Sequence, residues 1–330
     1  MFGIMGTDAA FAKAAGTHKS KGNRIVLRFA SDDISLPAIS CDGEIVVESI
    51  KSGEVVLETY SNLEEDALVI DNDANTDIII SGNVTLLSVS NDEISDEWLN
   101  YIDISSCATL TNFNCSYCDG LTALDLSKNT ALSSLICSEC TGFTALDLSK
   151  NIALTELICN TCTGITELDL SKNRELVNLS INATGITNID LSKNTELVGF
   201  SCAGCTGITE LDLSKNTALE FLDISECTGL TALDLNKHTA LTELYCYNCT
   251  GITELDLSTD TALVNLNCSG CTGLTTIKYP ATDSVVSTSI AGAISAATAA
   301  DGTVYTDSAA AYYSTIATAA TAKGWTIEQL

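Results

Sequence analysis

The chain has 330 residues, 45% of them hydrophobic, with a formal net charge of −28 and a pI near 4.1. Acidity this strong argues against nucleic acid, whose backbone demands clustered Lys and Arg, and suggests partners that are basic or metal-loaded. No run of eighteen apolar residues is present, so no membrane-spanning helix is predicted.

The few basic residues are unevenly placed. Lys13, Lys19, Lys21, Arg24 and Arg28 gather near the start, opposed only by Asp8. Residues 1–23 are predicted to form a basic arm, and these five residues to act in assembly. The first 22 residues hold no apolar core of the length a secretory signal needs. Residues 24–98 are predicted to be a β-rich cap. Short β-favouring runs at 24–29, 44–50, 54–59, 67–70, 77–80 and 84–89 are parted by Gly, Asn and Asp turns. Such a cap would cover the exposed first edge of a repeat array.

The array itself is built from a 22-residue unit, expected to fill residues 99–280. Its copies begin at Leu99, Leu121, Phe143, Ile165, Ile186, Ile208, Leu230 and Ile252, with a decaying ninth at Leu274. A fixed period in the twenties signals a solenoid, because one unit cannot bury its own apolar face and must stack on its neighbours. The predicted fold class is a mainly β repeat solenoid of about eight 22-residue turns, with a small α/β cap at its C-terminal end. Each unit divides into two eleven-residue halves, Leu-x-x-Leu-Asp-Leu-Ser-Lys-Asn-x-x and Leu-x-x-Leu-x-Cys-x-x-Cys-Thr-Gly. Both carry a Leu-x-x-Leu-x-apolar kernel, so one short extended segment is expected on each side of a turn. The fifth unit starts one residue early, because Ser180-Ile-Asn-Ala-Thr-Gly185 lacks the position of a second cysteine.

Fourteen of the fifteen cysteines fall at ladder positions of the repeat, and Cys41 stands apart. Cys115/Cys118 and Cys137/Cys140 match a zinc spacing, but any regular repeat generates that spacing automatically. Ile181 and Ile224 occupy the first-cysteine position in their turns, and isoleucine replaces a small buried hydrophobe, not a metal ligand. No metal is predicted. Two residues three apart on a strand lie roughly 10 Å apart, beyond disulfide reach. In-register stacking aims the thiols of adjacent turns alike. Buried thiols are therefore expected, the second of each pair donating weak S–H hydrogen bonds, which implies folding in a reducing compartment.

Two polar columns mark the first half. Asn129, Asn151, Asn173, Asn194 and Asn216, continued by His238 and Asp260, are predicted to satisfy backbone groups inside the turns. Asp103, Asp125, Asp147, Asp169, Asp190, Asp212, Asp234 and Asp256 form the other, partly offset by a lysine column three residues on. That carboxylate column reads either as a solvated charged face or as a track for divalent cations or a basic partner.

The first half is nearly uniform, whereas outward positions of the second half differ freely. Ile136, Ile158, Ser180, Ser201, Phe221, Asp223, Tyr245, Tyr247 and Asn267 form this variable face and are the predicted partner-binding residues. Residues 281–330 are expected to make the terminal cap. There 283–300 reads as helix or linker, Asp307 as the N-cap of a helix running through Lys323, and Gly324 as its stop. Short strands at 303–306 and 325–328 would flank that helix.

The Leu-Asp-Leu-Ser-Lys-Asn runs and the alternating Cys-x-x-Cys halves, such as Leu154-Thr-Glu-Leu-Ile-Cys-Asn-Thr-Cys162, resemble leucine-rich repeats of the bacterial internalin-like and BspA-like surface proteins. The likeness is strongest to cysteine-ladder internalins and covers just over half the chain. It implies adhesion or recognition. No phosphate loop, nucleophile elbow or zinc-protease motif occurs, and the only histidines are His18 and His238. No enzyme activity and no cofactor are expected. Two non-enzymatic readings stand close together, with a soluble intracellular scaffold as a third. One is a decoration or receptor-binding protein on a tailed-phage virion, made in the cytoplasm and docked through the basic arm. The other is a bacterial cell-surface adhesin whose export signal lies outside the sequence. In both, a protein or glycan receptor meets the repeat face, with virion or homo-oligomeric assembly through the arm, and neither nucleic acid nor membrane insertion is involved.

Overall fold

The computed structural model describes residues 23–29, 33–41, 44–51, 54–61, 66–71, 77–82, 84–89, 99–259, 262–279, 284–298, 302–306 and 313–329. They fall into two units, Met1–Leu154 and Thr155–Leu330. The basic arm through residue 22, the 92–98 stretch expected to join cap and repeats, Asp260 and Asp307 lie outside the described residues.

In the first unit, β1 (Asn23–Phe29), β3 (Glu44–Lys51), β4 (Glu54–Ser61), β6 (Asp77–Gly82) and β8 (Leu99–Asp103) make an antiparallel sheet in the order β4-β3-β6-β1-β8. A second sheet places β2 (Asp33–Cys41) between β5 (Asp66–Asp71) and β7 (Val84–Ser88), antiparallel to both. β7 then pairs in parallel with β9 (Asn112–Asn114), and β9 with β10 (Ser134–Ile136). The turn from antiparallel to parallel pairing at β7 is where repeat stacking begins.

The cap departs from expectation in two places. The sequence pattern does not predict β2, because Pro37 and the surrounding serines break it. The proline sits inside a register shift between Leu36 and Ile39, where its missing N–H costs no ladder bond. Leu99, the expected start of the first repeat, instead enters β8, which pairs antiparallel with β1 in the cap sheet.

In the second unit, one three-residue strand per turn stacks in register. These strands are β11 (Glu156–Ile158), β12 (Asn178–Ser180), β13 (Gly199–Ser201), β14 (Phe221–Asp223), β15 (Glu243–Tyr245) and β17 (Asn265–Asn267). The middle residue of each points inward: Leu157, Leu179, Phe200, Leu222, Leu244 and Leu266 are all buried. Each such side chain contributes roughly 1.5–3 kcal/mol by leaving water.

The first half of the repeat departs from the expected second strand. From 121 to 129, and in the matching stretches up to 238, it forms turns rather than strand. After β8, the next described strand on that side is β16 (Glu254–Asp256), which begins a parallel stack with β18 (Thr276–Lys278), β19 (Thr303–Tyr305) and β20 (Thr326–Glu328). Ile-Thr-Glu-Leu-Asp-Leu occurs at 165–170, 208–213 and 252–257, yet only the last copy contains strand. The neighbour decides: the Leu257 N–H reaches the Lys278 carbonyl at 2.9 Å, and Lys278 bridges Glu254 and Asp256 at 2.6 and 3.0 Å.

Close stacking explains the Thr-Gly that ends each repeat. A Cβ on Gly251 would stand 2.6 Å from the Leu230 carbonyl oxygen of the preceding turn. Residues 284–296 form helix α1 (Ser284–Ala296), which decides between helix and linker for that stretch. Helix α2 (Tyr313–Lys323) ends where expected, at Gly324 with φ +82°. There the Trp325 N–H reaches the Ala320 carbonyl and the Gly324 N–H reaches Thr321, a Schellman stop.

Candidate functional site

The outward residues of the stacked strands form the candidate site. Strand alternation sends the first and third residue of each strand away from the core. Ile136 occupies the third position of β10 in the first unit; Ile158, Ser180, Ser201, Asp223, Tyr245 and Asn267 occupy it in the second. Phe221 takes the first position of β14, and Tyr247 lies just past β15. All are half-buried except Ser201, which is buried.

Several of these residues carry bonds within the chain. Ser180 and Ser201 donate to the side-chain oxygens of Asn160 and Asn182 at 2.7 and 2.6 Å. Asp223 and Asn267 accept from the backbone N–H of Ser225 and Ser269 two residues on. These four are therefore partly committed to holding their own turns. The aromatic residues are different. The Phe221 and Tyr245 rings lie 5.8 Å apart, tilted by 45°, and the Tyr245 hydroxyl donates to Glu243 at 3.0 Å. That hydrogen bond, then burial and the Glu243 and Asp223 charges, raises the Tyr245 phenol above its ordinary pKa. Arg24 and Arg28, expected in the assembly arm, lie within strand β1 of the cap sheet.

Behind this face stands the thiol ladder. The fourteen ladder cysteines are buried thiols, not disulfides. The second cysteine of a pair donates back to the first ladder position one turn earlier. Cys140 reaches the Cys115 carbonyl at 2.9 Å, Cys227 reaches Cys202 at 3.2 Å, Cys249 reaches Ile224 at 3.0 Å and Cys271 reaches Cys246 at 2.9 Å. In the shortened turn, buried Thr184 takes the missing cysteine's place. Its hydroxyl bonds the Ile181 carbonyl at 2.9 Å and lies 3.4 Å from the Cys205 sulfur. Burial pushes the thiols of Cys249 and Cys268 up to about 12 and that of Cys107 to about 11. They remain protonated and poorly nucleophilic at neutral pH.

On the other side, each described ladder asparagine whose bonds are resolved donates both amide hydrogens to the preceding turn. Asn216 reaches the carbonyls of Leu191 and Asn194 at 3.1 and 2.8 Å, and Asn129 those of Ile104 and Cys107 at 2.9 Å each. His238 joins the column with its Nε2 3.1 Å from the Leu213 carbonyl.

The carboxylate column has a role that neither reading of the sequence named. Each Asp accepts from the N–H two residues on, as in Ser127 to Asp125 and Ser214 to Asp212 at 2.9 and 2.8 Å. These are Asx turns, and Asp-x-Ser was their signal. The same backbone hydrogen bonds hold Asp125, Asp147, Asp190 and Asp212 below the ordinary carboxylate value.

A stacked parallel ladder of 22-residue turns, backed by Asn and Cys columns, defines a leucine-rich-repeat solenoid with a cysteine ladder. No protein-family model matches the chain, and no curated protein matches it. Among solved structures, the functional domain of InlJ from Listeria monocytogenes, which includes a cysteine ladder, is similar at 26% identity with a TM-score of 0.46. The match covers 68% of this chain and 59% of that one, so the chain spans less than two thirds of the InlJ domain's length. An internalin, InlF, from the same organism matches at 15% identity and a TM-score of 0.33, covering 74% and 86% of the two chains. Internalin C2 matches at 14% and 0.31, covering 58% and 79%.

Proposed function

We propose that the chain is a non-enzymatic recognition protein that presents the outward strand face of its repeats to a protein partner. The observation that carries this is the half-buried Phe221–Tyr245 pair, set on a face whose backbone is fully engaged in the parallel ladder. Aromatic side chains held rigidly at a protein surface anchor interfaces at little conformational cost. Ile158 and Tyr247 extend the apolar content of this face in the second unit, Ser180, Ser201, Asp223 and Asn267 shape its turns, and Ile136 takes the matching position on β10 of the first unit.

The placement we propose is a virion surface. Support comes from the ladder of buried thiols, which suits folding in a reducing cytoplasm, and from Lys13, Lys19 and Lys21 as an assembly arm. A bacterial cell-surface adhesin is the alternative placement and uses the same binding face.

The test passes bacterial surface-protein extract over immobilised full-length protein and over the Phe221→Ala/Tyr245→Ala variant. Any protein retained by the first alone is then purified and its Kd measured. At least a tenfold loss of affinity with an unchanged thermal midpoint is expected for the variant. Equal retention overturns the face. Antibody labelling of purified phage particles against intact cells separates the two placements.

A further inference from the structure

Phe221 and Asp223 on β14 lie beside Glu243 and Tyr245 on β15, in that register. Parallel in-register stacking puts them on one outward face, with neighbouring strands about 4.8 Å apart. The result is a checkerboard in which the aromatic rings occupy one diagonal and the carboxylates the other. Repeat arithmetic could have found it in the sequence, because adding one 22-residue period to Phe221 gives Glu243.

The strand on one side carries only small side chains of its own, with the Asn178 side chain of β12 lying over Gly199. β13 presents Gly199 beside Phe221 and the buried Ser201 beside Asp223. No bulky side chain from that strand covers the Phe221 ring. Glu226 is exposed just beyond the ladder position of the same turn and adds negative charge. The carboxylates are not saturated either. The Asp223 Oδ1 takes the Ser225 N–H at 3.0 Å, and the Glu243 Oε2 takes the Tyr245 hydroxyl at 3.0 Å, each by a single donor. A carboxylate offers about four lone-pair sites, so both can accept further hydrogen bonds.

This combination selects a ligand chemistry. An aromatic face beside a carboxylate attracts a cation through the ring quadrupole and through charge together. A planar guanidinium suits it better than an ammonium, since it stacks on a ring and forks its N–H groups onto a carboxylate. The charge of −28 complements a cationic segment at long range as well. We propose that the Phe221/Asp223/Glu243/Tyr245 checkerboard is a docking site for an arginine-bearing segment of a protein partner. This rests on the reading of the strand face as a recognition surface and names what that surface takes. A guanidinium stacks on the outward face of Phe221 and hydrogen-bonds to the unused lone pairs of Asp223 and Glu243.

The experiment measures binding of full-length protein to a capped peptide carrying spaced arginines, with a glutamine-substituted peptide as control, at low and high salt. Saturable one-to-one binding of the arginine peptide alone is expected, weakening as salt rises. Phe221→Ala and Glu243→Gln should each weaken it about three- to tenfold. An unchanged thermal midpoint in Phe221→Ala and Glu243→Gln guards against reading a folding defect as a lost site. Asp212→Asn removes the same charge from the opposite side of the turn and should change binding by less than about twofold.

Equal losses in Asp212→Asn and Glu243→Gln would overturn the site in favour of general attraction to an acidic protein. Equal binding of the two peptides, or none, would overturn it outright. If neither peptide binds while Phe221→Ala/Tyr245→Ala still abolishes capture of a surface protein, the face stands and its arginine chemistry falls. If the arginine peptide binds as expected while that capture is unchanged, the face reading of function falls and the cation site stands.

Discussion

The two halves of each repeat solve the same problem in opposite ways. In the second half, backbone pairs with backbone: strands such as β14 and β15 exchange ladder bonds, and the ladder continues beyond the strand, as where the Glu226 N–H meets the Tyr247 carbonyl at 2.8 Å. In the first half the chain turns, and side chains carry the bonds, Asp within a turn and Asn between turns. The consequence is legible in the variation. Where backbone does the pairing, outward side chains are released to differ, and Asn112, Ser134, Glu156, Phe221 and Glu243 all sit first on their strands. Where side chains must do it, Leu-Asp-Leu-Ser-Lys-Asn recurs almost unchanged. Uniformity in this protein marks hydrogen-bonding duty, and variability marks the surface available for recognition.

The largest expected effect tests the thiol side. The folded values near 12 for Cys249 and Cys268 and near 11 for Cys107 lie above the ordinary 9.0. Groups raised on folding contribute stability that is complete below pH 9 and lost as pH rises toward 12. Thermal midpoints should therefore hold steady from neutral pH to about 9 and then fall, with unfolding and thiolate absorbance appearing together. The carboxylates behave oppositely. Asp125, Asp147, Asp190 and Asp212 are lowered from 3.8, so their contribution is present above that value and is lost as pH falls below it. A midpoint that stays constant to about pH 11 would break the assignment of the thiols as buried hydrogen-bond donors.

A paired substitution sharpens the contrast on the turn side. Asn216→Ala removes two bonds to the preceding turn from a fully buried site and should cost about 2–3 kcal/mol. Asp212→Ala, four residues earlier, removes one exposed local bond and should lower the urea midpoint far less. Urea unfolding of both variants decides it. Equal costs would mean that the Asn column stacks turns no better than the Asp column shapes them.

Much of the solenoid is readable from sequence because a strict period turns one local pattern into a column. The Asn column, the thiol donors and the Gly324 stop follow from residue type at a fixed repeat position. Other features depend on partners that a single turn does not contain. The strand at 254–256 exists because Lys278 and the β18 backbone stand beside it, while the same six residues at 165–170 and 208–213 form no strand. β2 is hidden because a proline inside a register shift looks, in sequence, like a break. At the candidate site the aromatic residues are legible singly, but their pairing with Asp223 and Glu243 needs the register. Ser180, Ser201, Asp223 and Asn267 look unconstrained because bonds to a neighbouring Asn or a backbone N–H leave no periodic signal.

The smallest effect concerns a strain hidden within the variable half. Tyr117, Glu139, Thr161, Ala183, Glu226 and Asn248 share one repeat position and all have φ between 51° and 62°, the left-handed region; Gly204 and Gly270 occupy it at 73° and 71°. The ladder imposes that conformation, since the N–H there must meet the next turn, as in Thr161 to the Asn182 carbonyl at 2.7 Å. For a residue with a Cβ the left-handed region costs roughly 1–2 kcal/mol, and a β-branched side chain suits it worst. Thr161→Gly relieves that cost but adds backbone freedom to the unfolded chain, worth up to about 1 kcal/mol in the other direction. The balance favours a gain of about 0.5 kcal/mol, read as a slightly raised urea midpoint with an unchanged slope. Glycine at this position would then be the stability optimum, and the six other residues would be kept for what they present outward. A lowered midpoint would instead show that the Thr161 side chain contributes more to its turn than its backbone strain removes.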